Sequence, residues 1–80
     1  MLMAASRERA MYRFDYVVSR ENDHPVQART SFAPRLESAV ASARSQLFGS
    51  VKLMRSDAIG FIVRDGSGSV VRRWYEGDEL

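Results

Sequence analysis

The chain has no cysteine, one histidine, one tryptophan and two prolines in 80 residues. Without cysteine there is no disulfide, no thiolate metal ligand and no cysteine nucleophile, so added stability has to come from packing or oligomerisation. A reducing compartment accords with that composition. Long apolar runs are also missing: none approaches the roughly 18 to 20 residues that cross a bilayer, and the opening MLMAASRERA lacks the apolar core of a secretory signal. The expectation is a soluble, cytoplasmic protein with no membrane partner.

Charge of one sign is scarce too. Twelve Lys and Arg stand against ten Asp and Glu, well short of the dense positive field of a dedicated nucleic-acid binder. The balance is uneven along the chain. Arg44, Lys52, Arg55, Arg64, Arg72 and Arg73 face only Asp57 and Asp65 in the segment from 44 to 73, and the chain closes on Glu76, Asp78 and Glu79. The length makes one domain, which at this size buries only about 60% of its unfolded surface and has a thin margin of stability.

What is present is periodic. Tyr12, Phe14, Tyr16 and Val18 alternate with Arg13, Asp15, Val17 and Ser19, the pattern of a half-buried strand. Glu21-Asn22-Asp23-His24-Pro25 then breaks regular structure, and residues 26–32 lead on in an extended form. Pro34 suits a first helical turn, and Glu37 lies near the positive end of the helix dipole. Leu36, Val40, Ala43 and Leu47 recur at helical spacing with Ala39 beside them, and Gly49 is the expected C-terminal cap. Residues 51–57 fit a resumed helix, a short strand or a connector equally well. Ile59, Phe61 and Val63 alternate again, Asp65-Gly66-Ser67-Gly68 is a turn, and residues 69–75 form the return strand.

This order predicts an α+β fold: a small three-stranded sheet, β-α-β-β, with one helix packed on one face. Residues 1–10 are expected to be a flexible extension, 11–76 the domain and 77–80 an acidic tail. The aromatic opening strand Tyr12-Arg13-Phe14, the polar loop through His24, the helix segment Ala39-Val40-Ala41-Ser42-Ala43 and the hairpin from Phe61 to Val71 together resemble a family of small bacterial domains of unknown function. The resemblance supports the βαββ fold and transfers no functional residue.

The chemistry-bearing candidates are few. Gly66 and Gly68 supply only the first half of a dinucleotide fingerprint, with Val71 where the third glycine belongs and a strand where the helix should start, so the hairpin turn is favoured. His24 has Glu21 and Asp23 nearby but no second His or Cys, which argues for a solvated loop over a metal centre. Gly66-Ser67-Gly68 is not the serine-hydrolase elbow. No cofactor, metal or catalytic residue is expected, and the chain is not expected to be an enzyme.

Arg72-Arg73-Trp74-Tyr75 combines phosphate-neutralising and base-stacking side chains, but a strand divides it. Alternation leaves open which of the two pairs lies under the helix; if Trp74 does, beside Arg72, then Arg73 and Tyr75 share the open sheet face with Arg13, Val17, Ile62 and Arg64, opposed by Asp15. Those six residues are the candidate interaction face. The leading expectation is a non-enzymatic interaction or regulatory domain that contacts an unidentified protein partner or forms a homodimer, through this face or through the edge of the first or last strand. The alternative is nucleic-acid binding through Arg13, Arg64, Arg73 and Tyr75.

Overall fold

The computed structural model describes residues 10–78. β1 spans Ala10–Val17, β2 Gln27–Ala33, α1 Leu36–Gln46, β3 Gly60–Arg64 and β4 Val70–Tyr75. All neighbours are antiparallel, in the order β2-β1-β3-β4. The sheet therefore has four strands where three were expected. The added one is β2, whose residues Ala28, Thr30 and Phe32 alternate with Gln27, Arg29 and Ser31. That alternation carries little hydrophobic contrast, and only pairing with β1 makes it a strand. Its insertion moves the first strand from the edge to the interior, leaving β2 and β4 outermost.

The residues expected to form a flexible extension lie, apart from Ala10, outside the described residues, and Ala10 opens β1. Glu79 and Leu80 also lie outside them.

α1 covers one face through Ala39, Val40, Ala43 and Leu47, all buried. Its alanines permit close approach to the aromatic row beneath. Phe14 meets Tyr16 edge-on, Tyr16 meets Phe61 edge-on at 6.0 Å between centroids, and Phe61 stacks on Trp74 at 5.5 Å. The row runs across β1, β3 and β4, and each fully buried ring contributes about 1.5–3 kcal/mol of transfer free energy. The Tyr16 hydroxyl donates to the Ala43 carbonyl at 3.0 Å, which pins the helix to the sheet.

Gly49 does not end the helix. Its φ of −109° and ψ of −108° kink the chain inside a wide turn, Leu47–Val51, after which α2, Lys52–Met54, adds a last turn. Of the three readings of residues 51–57, the structure has the resumed helix followed by a connector. Lys52 then ties this turn to the end of the chain, donating to the Ala58 carbonyl at 2.6 Å and pairing with Glu76 at 3.0 Å. Among the described residues no helix is long and apolar enough to cross a membrane.

Candidate interaction surface

The register assigns each side chain to a face, because antiparallel partners point the same way. Phe61 pairs with Trp74 and Val63 with Arg72, so Trp74 and Arg72 lie on the helix side. Gly60 pairs with Tyr75 and Ile62 with Arg73 on the other side, where Asp15 pairs with Ile62 and Arg13 with Arg64. All six residues of the candidate face, Arg13, Val17, Ile62, Arg64, Arg73 and Tyr75, thus share the side away from α1.

They do not form one exposed surface. Val17 and Ile62 are 0% exposed and Tyr75 is nearly buried, forming a second small core with Ile59. The loop of residues 18–26 reaches from β1 past β3 to β4. Asp23 accepts from both Nη atoms of Arg73, at 2.8 and 2.9 Å, Arg20 stacks over the Tyr75 ring at 4.7 Å, and Arg20 also pairs with Asp78 at 2.9 Å. The expectation that Val17 and Ile62 are surface residues is therefore corrected. Strand alternation puts them on the open face, but the loop that follows β1 covers them, a long-range contact that alternation does not encode.

The arginines of this face are already engaged. Asp15, 2% exposed, accepts from Arg13 Nε at 2.6 Å through one oxygen and from Arg64 Nε at 3.0 Å through the other. Two guanidinium groups share one carboxylate, leaving one positive charge uncompensated among the three. Arg64 also donates to the Gly68 carbonyl at 3.1 Å. Asp23's carboxyl is held below its ordinary pKa, first by the hydrogen bond from Arg73, and the same bond pushes Arg73 upward. A phosphate reaching Arg73 would have to displace a bidentate partner.

The outer half of the face is open. Met11 and Phe32 are cross-strand partners, 42% and 59% exposed, with Ala28, Thr30 and Arg13 exposed beside them. Val70 is also exposed, but it lies on β4 opposite Arg64, separated from that pair by Arg64 and Arg13. Sequence reasoning did not single out Met11 or Phe32; the one available signal was the extended stretch 26–32, whose large residue is Phe32.

On the helix side, Trp74 is enclosed by Phe61, by Phe48 edge-on at 6.0 Å and by the Arg44 guanidinium 5.4 Å from its ring centre. Leu53 and Met54 project from α2. A small cavity of about 130 Å³ lies between α1 and β4, lined by Glu37, Val40, Ala41 and Arg72. At Asp65-Gly66-Ser67-Gly68 the Asp65 carboxylate accepts from the N–H groups of Ser67 and Ser69 and from the Ser67 hydroxyl, and Gly68 takes a φ of 91°. The turn is filled by its own side chain. Among the described residues no group of three or more His, Asp or Glu is placed to hold a metal ion. No family model, curated protein or solved structure matches the chain.

Proposed function

We propose that this is a small non-enzymatic domain that works through protein–protein contact and associates with itself through the outer half of its sheet, around β2. The observation that carries the reading is the Met11–Phe32 pair, two large apolar side chains side by side on a face that the 18–26 loop leaves bare. Scattered exposed apolar residues are ordinary; a cross-strand pair beside further small residues makes a contiguous patch. Packing Phe32 against a second copy also adds buried apolar area to a domain of marginal size.

Sedimentation velocity on the full chain over the micromolar range tests this. The wild-type chain is expected to sediment as a concentration-dependent dimer, and Phe32→Lys to shift the equilibrium toward monomer. A wild-type chain that stays monomeric throughout would refute the reading.

A further inference from the structure

The two outer strands end the sheet in different ways. β4 is defended. Arg72 and Arg73 occupy its middle, and Asp78 turns back on its end, where its Oδ2 accepts the Tyr75 N–H at 2.8 Å and its own N–H donates to the Tyr75 carbonyl at 2.9 Å. Pairing β4 with a second copy about a two-fold axis at its middle would set Arg72 against Arg72 or Arg73 against Arg73, which is unfavourable.

Among the described residues, β2 has none of these defences. It is seven residues long and contains no proline, lysine or acidic residue. Its one charge, Arg29, is turned back toward the helix, donating to Gln27 at 3.0 Å, Gln46 at 3.0 Å and Ser50 at 2.6 Å. Sheet edges are normally blunted by charge, proline, bulges or short length, and a long strand without them is a template for another strand.

We infer that β2 pairs antiparallel with β2 of a second copy, about a two-fold axis at Thr30, joining two four-stranded sheets into one of eight. The inference rests on the self-association proposed above and names its contact. The axis sets Thr30 against Thr30 of the second copy, Ala28 against Phe32, Arg29 against Ser31 and Gln27 against Ala33. Each pair shares a face, so both helices lie on the same side of the joined sheet. On the open face the smallest side chain of β2 meets the largest. Phe32 then sits between Met11 of its own chain and Ala28 of the other, and no like charges are opposed. Other centres are worse. An axis at Arg29 opposes two arginines, and one at Ser31 shortens the ladder.

The test uses Thr30, which is exposed and so tolerates substitution in the monomer. Thr30→Lys and Thr30→Asp each place like charges across the axis and are expected to weaken dimerisation by about tenfold or more in sedimentation equilibrium. An equimolar mixture of the two variants recovers a dimer, because opposite charges then meet. Thr30→Cys, in a chain otherwise free of cysteine, is expected to oxidise readily to a covalent dimer, since directly opposed residues lie within disulfide reach; Val70→Cys on β4 is not. A wild-type dimer that both charged variants leave unchanged would overturn this contact and leave self-association standing. A wild-type monomer would overturn both. Should a charged variant fail to fold, the cross-linking contrast between Thr30→Cys and Val70→Cys decides, and equal cross-linking at the two sites counts against β2.

Discussion

Asp23 and Arg73, separated by 50 positions in sequence, meet through two side-by-side hydrogen bonds on the open face of the sheet. That pair, with Arg20 on Tyr75 and Asp78, straps the 18–26 loop over Ile62 and Val17. Buried apolar residues are thereby held under a cover whose own fastenings are solvent-exposed ion pairs.

The strap should loosen in acid. Asp23's folded pKa lies below its unfolded value, so its contribution is complete above the ordinary Asp range, near about 4, and is lost as pH falls through the lower folded value. Amide protection factors for residues 18–26 are expected to fall first at low pH. Asp23→Asn should lower them already at neutral pH and flatten the acid response, whereas protection independent of both pH and substitution would contradict the strap.

Tyr16 governs the alkaline limb. Burial pushes its hydroxyl well above the ordinary tyrosine value, with Arg29 opposing weakly. A raised folded pKa gives stability that is whole below the unfolded pKa, about 10, and is lost as pH rises beyond it. Denaturant midpoints should therefore drop above that pH in the wild type and drop less in Tyr16→Phe. At neutral pH the same substitution should cost about 0.5–1.5 kcal/mol, the net worth of its hydrogen bond to Ala43.

Removing Asp15 should be felt more than removing Arg13. Asp15→Ala leaves Arg13 and Arg64 adjacent with no carboxylate between them, and a loss of about 1.5–3 kcal/mol is expected from two charge-assisted bonds. Arg13→Ala, at a half-exposed side chain, should cost less than about 1 kcal/mol. Urea unfolding of the two variants tests the order, and a larger loss at Arg13 would contradict it.

Gly60 has no room for a side chain. A Cβ there would press on the Trp74 carbonyl oxygen and lie 2.6 Å from Tyr75 Cδ1, so Gly60→Ala must shift β4 or the Tyr75 ring. A loss of about 1–3 kcal/mol is expected, accompanied by a change in the fluorescence of Trp74, the sole tryptophan. An unshifted melting temperature would count against this packing.

Much of the architecture was legible in the residue pattern. Alternation at Tyr12, Phe14 and Tyr16 and at Phe61 and Val63 divided the sheet faces correctly, but Ile59 lies with Val17 and Ile62 and not with Phe61. Alternation also split Arg72 and Trp74 from Arg73 and Tyr75 without saying which pair lies beneath the helix; the register decides for Arg72 and Trp74. Helical spacing picked out Val40, Ala43 and Leu47 as the buried stripe. Less legible were β2, whose polar composition hides its period, and Gly49, where a cap residue instead sits in a kink that the helix survives. The six-residue face was placed on the right side of the sheet, but its accessibility was not readable. Val17 and Ile62 alternate like surface residues but are buried with Tyr75 and Ile59, on the side of the sheet to which the 18–26 loop is fastened through Arg73 and Tyr75.

From the sequence alone came the local geometry: period two for strands, period near 3.6 for the helix, and Asp-Gly-Ser-Gly for the turn, each set by interactions within a few residues. Only the tertiary structure decided which strand stands at the edge, which arginine meets which acid, and which apolar pair stays bare. Those depend on contacts such as Asp23 with Arg73 and Met11 with Phe32, where residues far apart in the chain meet, and a one-dimensional pattern holds no term for such meetings.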